Sequence, residues 1–217
     1  MNNLFKIFNP TESELNEIKE LLNKQNYSLT NDYFDYKLTI NSSKNYSKEI
    51  KDIFKEKFYT DKDIPFVQFF HKKVSSTDFT LSGAESCTGG LVSKLLTDQP
   101  GSSKYFKHSL VTYANDSKEE ILNVKKETLD EKGAVSKGTV IEMLDGLLYI
   151  KMTNLVYAIS GIAGPAGGTD LTPVGTVFIG VMRNGIREVK RYYFSGNRKD
   201  IRNKATQQTL WDLYLSL

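Results

Sequence analysis

Ser86, Cys87 and Thr88 stand together before two glycines in the run SGAESCTGG (82–90). A hydroxyl or thiol in such a turn is placed to attack a carbonyl carbon or a phosphorus. Apolar-flanked residues 74–81 read as a strand, and LVSKLLTD, apolar at Leu91, Val92, Leu95 and Leu96, reads as the following helix, 89–97. Ser86 then falls at the helix start, where unpaired N–H groups and the positive dipole end stabilise an alkoxide, an oxyanion or a phosphate. Gly89 and Gly90 let another group approach the backbone, and the N–H groups near Thr88 and Gly89 are the expected oxyanion donors. A serine also needs a base. The chain has two histidines, His71 and His108, and neither has an evident orienting carboxylate, which argues against a Ser/His/Asp triad. Cys87, the single cysteine, lacks a histidine partner and reads as a packed neighbour; Glu85 reads as a residue that caps or orients backbone.

Further residues of the right chemistry lie downstream. Tyr113 ends an expected strand and can relay a proton or hold register. The loop SGIAGPAGGT (160–169) follows a buried apolar run and matches neither a dinucleotide fingerprint nor a P-loop. Gly161, Gly164, Gly167 and Gly168 can nonetheless aim successive N–H groups at a phosphate or carboxamide, with Thr169 and Thr176 adding hydroxyls; a tight crossover turn explains Gly161 and Gly164 equally well. All five arginines lie between 183 and 202, and Arg198 and Arg202, four apart after SGN, share one face at the start of the last helix. Two guanidinium groups at a helix end make a good phosphate site, although a solvated basic face has the same pattern.

These residues need a scaffold. From about residue 76, strands and helices alternate: strand 109–113, helices 117–123 and 136–151, the strand LVYAIS, the strand VGTVFIGVM, a strand 189–194 and a helix 197–214. The dipeptide Asn184-Gly185 makes a hairpin of the last two strands. The expected fold is a layered α/β sandwich with a mixed sheet and helices on both faces (76–217), preceded by a small α+β unit (1–75). In that unit LFKIF reads as a strand, 11–24 as a helix with a Thr11/Glu14 capping box, 33–40 as a strand, 48–58 as a helix and IPFVQFF as a strand. A net charge of +3 gives no general nucleic-acid signature, and one cysteine excludes an internal disulfide. With no leader, spanning apolar run or cluster of metal ligands, the expectation is a cytoplasmic protein without membrane, nucleic acid, metal or cofactor.

Several collinear strings resemble one family: AESCTGG (84–90), PGSSKYF (100–106), VTYANDSK (111–118), GAVS (133–136), SGIAGPAGGT, PVGTV (173–177) and FSGNRKDIRNKA (194–205). Together they resemble the C-terminal domain of the competence-damage-inducible (CinA) proteins, which occurs alone as nicotinamide-nucleotide amidase; the likeness covers about the last 140 residues. The resemblance implies that Ser86 is the nucleophile and Lys118 its general base, although by itself Lys118, ahead of Glu119 and Glu120, reads as an exposed helix lysine. It further implies hydrolysis of nicotinamide mononucleotide to nicotinic acid mononucleotide and ammonia, a phosphate role for Arg198, no cofactor and a homodimer. A silent nucleotide-binding or interaction protein of the same fold, and an amidase for another amide, fit the same residues.

Overall fold

The computed structural model describes residues 2–23, 25–150 and 153–217, which divide into two compact units, 1–70 and 71–217. The first holds β1 (Asn2–Phe8), α1 (Glu12–Leu21), β2 (Asn26–Asp32), β3 (Asp35–Asn41), α2 (Ser47–Phe54), β4 (Phe58–Thr60) and the start of α3 (Phe66–Val74). Its sheet, ordered β2-β3-β1-β4, is antiparallel throughout. The capping box forms: Thr11 Oγ1 accepts the Glu14 N–H at 3.2 Å, and the Glu14 carboxylate accepts the Thr11 N–H at 2.6 Å. Phe5, Ile7, Leu38 and Ile40 from the sheet bury against Ile18, Leu22, Ile50 and Phe54 from the helices.

The run IPFVQFF is not a strand; most of it is α3. Phe66, Phe70 and Val74 are buried at four-residue spacing, which is one helix face, and the aromatic density that suggested a strand serves that face instead. Val74 therefore ends a helix rather than opening a strand. The hydroxyls of Ser76 and Thr77 close it by donating to the carbonyls of Lys73 and Val74, at 2.7 and 2.8 Å.

The second unit is the expected layered α/β sandwich. It comprises β5 (Leu81–Glu85), α4 (Leu91–Thr97), β6 (Phe106–Val111), α5 (Asn115–Leu122), α6 (Lys126–Lys132), α7 (Lys137–Tyr149), β7 (Leu155–Gly161), β8 (Thr176–Arg183), β9 (Ile186–Tyr193) and α8 (Arg198–Leu215). The sheet order is β6-β5-β7-β8-β9, with β5 parallel to β6 and β7 and the β7-β8-β9 pairs antiparallel. Asn184 and Gly185 take φ of +50° and +83° in the β8-β9 hairpin, as their sequence requires. On one face α7 packs Val140, Met143, Leu144 and Leu147 against Ala84, Val156, Ala158 and Met182; α4 and α8 cover the other.

The interior strand β5, between β6 and β7, reads LSGAE, and all five residues are buried. Burial on both faces removes the polar-out alternation that marks a half-exposed strand, so its composition gives little sign of a strand. Gly83 pairs with Tyr157 of β7, and a Cβ at Gly83 would lie 2.0 Å from Tyr157 Cζ. Gly83→Ala is therefore expected to destabilise the domain by about 3 kcal/mol through overpacking. That corresponds to a fall of roughly 6–12 °C in the circular-dichroism melting temperature. A change under roughly 2 °C, less than 1 kcal/mol on the same scale, would show that the ring relaxes freely.

Candidate active site

Ser86 directly follows β5, and its N–H donates to the carbonyl of Ile159 on β7 at 3.0 Å, so the turn 86–90 is anchored to the middle of the sheet. Gly89 and Gly90 have φ of +59° and +91°, which a residue with a side chain adopts only under strain. The helix proper begins at Leu91, so Ser86 lies five residues before it rather than at its start. Nor is the helix end open to an anion. The buried Glu85 carboxylate accepts the N–H groups of Gly90, Val92 and Ser93 at 2.9, 3.2 and 2.9 Å, together with the Ser93 hydroxyl at 2.6 Å and the Tyr157 hydroxyl at 3.1 Å. Glu85 thus caps and orients backbone, as its position suggested.

Lys118 Nζ lies 3.3 Å from Ser86 Oγ. Because α5 starts at Asn115, Lys118 sits beyond the first turn, and its stem folds back over the helix N-terminus. There Nζ donates to the carbonyls of Thr112 (2.8 Å), Tyr113 (3.2 Å) and Ala114 (3.4 Å). The residue is 1% exposed and forms no ion pair among the described residues. Burial holds its amine pKa below the ordinary 10.5, against an upward pull from Cys87 and Asp116. The lysine that its acidic neighbours made look exposed is thus a desolvated amine beside a serine.

The rival nucleophile and base are disfavoured. Burial pushes the Cys87 thiol up to about 12, so it is protonated near neutral pH. His71 Nδ1 lies 3.2 Å from the Tyr105 hydroxyl, and neither His71 nor His108 hydrogen-bonds Ser86. Among the described residues, no group of three or more His, Cys, Asp or Glu side chains is placed to hold a metal.

Around the pair, Tyr113 is 57% exposed and its hydroxyl accepts from Arg198 Nη2 at 2.7 Å. Arg198 Nη1 donates to the Gly164 carbonyl at 2.8 Å, tying the glycine loop to the same edge. Gly161 closely approaches the 86–90 turn: a Cβ there would lie 3.1 Å from Cys87 Sγ and 3.0 Å from the Thr176 carbonyl. Gly164 and Gly167 take φ of +76° and +92°, and Gly168 leaves room for the Val174 backbone. Thr169 is spent within the loop, its hydroxyl 2.8 Å from that of Thr172 and accepting the Thr172 N–H. The hydroxyls of Thr88, Thr112 and Thr176 are buried without a hydrogen-bond partner among the described residues.

Two sequence expectations change here. Arg202 is expected to face an anion, but it turns part of its guanidinium to the backbone: Nε donates to the Cys87 carbonyl at 3.0 Å and Nη2 to the Thr88 carbonyl at 2.7 Å. Of the expected oxyanion donors, the Gly89 N–H is already given to the Ser86 carbonyl at 3.0 Å. Sequence reasoning missed both the carbonyl nest around Lys118 and the Glu85–Tyr157–Ser93 network. Side-chain spacing carries no signal for the former, because its acceptors are backbone.

A layered α/β domain with a buried serine–lysine pair at the end of β5 defines the class. The chain belongs to the CinA family: the model of the CinA C-terminal domain matches residues 65–217. It is 52% identical over 134 residues to a CinA-like protein of Endomicrobium trichonymphae, covering 62% of this chain and 31% of that one. It is 40% identical over 210 residues to a CinA-like protein of Petrotoga mobilis, covering 94% and 52%. The chain thus spans about a third to a half of the length of these relatives. Among solved structures, the competence/damage inducible protein CihA of Agrobacterium tumefaciens superposes with a TM-score of 0.66 at 37% identity, covering 69% of this chain and 92% of that one.

Proposed function

We propose that the second unit is an amidohydrolase that converts nicotinamide mononucleotide to nicotinic acid mononucleotide and ammonia. The observation that carries this reading is the 3.3 Å approach of a buried, ion-pair-free Lys118 amine to Ser86 Oγ. A neutral amine has two N–H donors and one lone pair. The two nearer carbonyls, of Thr112 and Tyr113, take the donors of the neutral amine; the longer contact to Ala114 at 3.4 Å is left to the ammonium form, and the lone pair is free for the serine proton. Ser86 Oγ then attacks the carboxamide carbon as its proton passes to Nζ, and the carbonyl oxygen becomes the oxyanion. Collapse expels the amide nitrogen, which takes that proton from Lys118 and leaves as ammonia, with the acyl group on Ser86. Water, deprotonated by Lys118, releases the carboxylate and restores the serine. Arg198 and Tyr113 at the exposed edge, with the glycine loop, are the candidates for holding ribose and phosphate.

The test is ammonia release by the full chain from nicotinamide mononucleotide, nicotinamide riboside and nicotinamide. Release is expected to be fastest with the mononucleotide and negligible with free nicotinamide. Binding of the mononucleotide without release would sink the reading in favour of a sensor or of another amide.

A further inference from the structure

Arg202 touches the nucleophile turn at two successive peptides, Cys87–Thr88 and Thr88–Gly89, through the carbonyl of each. A trans peptide is planar and its C=O and N–H point in opposite directions. Holding both carbonyls on the guanidinium side therefore turns the N–H groups of Thr88 and Gly89 to the other side. The Gly89 N–H closes the turn on Ser86, whereas the Thr88 N–H makes no hydrogen bond among the described residues. A cation on the Cys87 carbonyl also polarises that amide, strengthening the Thr88 N–H as a donor. Gly89 permits the approach: a Cβ there would stand 3.2 Å from Arg202 Nη2.

We propose that Arg202 is a positioning residue that aims and polarises the Thr88 N–H at the oxyanion formed when Ser86 attacks, rather than a ligand of the substrate phosphate. The inference rests on the serine–lysine reading above but not on the identity of the amide. Its test therefore uses acylation of Ser86 by p-nitrophenyl acetate, which develops the same oxyanion. The burst of p-nitrophenol is compared in the wild-type full chain, Ser86→Ala, Arg202→Met and Arg202→Lys. Binding of nicotinamide mononucleotide is measured by calorimetry in the Ser86→Ala background with and without Arg202→Met.

The expected result is acylation slowed about 10- to 100-fold in Arg202→Met, with partial recovery in Arg202→Lys and a dissociation constant within about twofold. Should Arg202→Met fail to fold, Arg202→Lys carries the comparison, because an ammonium cannot span both carbonyls and its acylation must still fall below wild type. Unchanged acylation would overturn the proposal, and weakened mononucleotide binding with acylation intact would return Arg202 to the phosphate. A wild-type burst without ammonia release would sink only the substrate assignment; no Ser86-dependent burst at all would overturn the nucleophile and Arg202's role with it.

Discussion

Lys118→Met is expected to lower ammonia release about 10⁴-fold or more while the protein stays folded, because removing one member of a nucleophile–base pair costs nearly as much as removing both. Methionine keeps the apolar stem that fills this site and removes only the amine. Its cost to folding is two-sided: the carbonyls of Thr112, Tyr113 and Ala114 lose their donor, whereas a buried amine no longer has to be desolvated. Melting temperatures of variant and wild type, read by circular dichroism, separate lost chemistry from lost fold.

The same amine fixes the sign of the pH dependence. In the proposed mechanism Lys118 acts when neutral, and burial holds its pKa below 10.5, so wild-type kcat/KM is expected to rise with pH through that lowered value and then level. Activity falls on the acid side, where the ammonium has no lone pair for the serine proton. Retention of near-full activity by Lys118→Met, or a wild-type profile flat across this range, would exclude Lys118 as the base.

The second large effect is on stability. Glu85→Ala is expected to cost about 3–5 kcal/mol, because it strips one buried acceptor from three backbone N–H groups and two hydroxyls at once. For a chain of this size the melting temperature should fall by roughly 6–20 °C. Activity should go with it, since Glu85 immediately precedes Ser86, the proposed nucleophile, and anchors the start of α4. Glu85→Gln restores the shape but turns an amide NH₂ toward donors, so it should recover only part of the loss. A fall under roughly 2 °C, less than 1 kcal/mol, for the alanine variant would mean that water or a shifted turn replaces the carboxylate.

Local signals were legible where the backbone itself demands a residue type. Asn184-Gly185 announced its hairpin, Thr11 with Glu14 announced α1, and the SGN run placed Asn197 as the cap of α8, where its side chain accepts the Lys199 and Asp200 N–H groups. The mixed sheet followed from that hairpin joined to an alternating α/β pattern. Elements set by tertiary burial were harder: β5 is a strand because Gly83 makes room for Tyr157, and α3 is a helix because Phe66, Phe70 and Val74 share a face. The site was legible as a set of residue types but not as a circuit. The sequence shows the charge of Arg202, whereas its acceptors are carbonyls brought to it by the chain's return.

That return is long: Arg202 reaches carbonyls 115 and 114 positions earlier, and Arg198 meets the Tyr113 hydroxyl across 85. At synthesis rates of about 5–20 residues per second, the turn bearing Ser86 leaves the ribosome roughly 6–23 s before the arginine that fixes its peptides. Such non-local closure costs loop entropy before its contacts repay it. Until α8 is made, a nascent chain therefore carries Ser86 without the guanidinium that holds the Cys87 and Thr88 carbonyls.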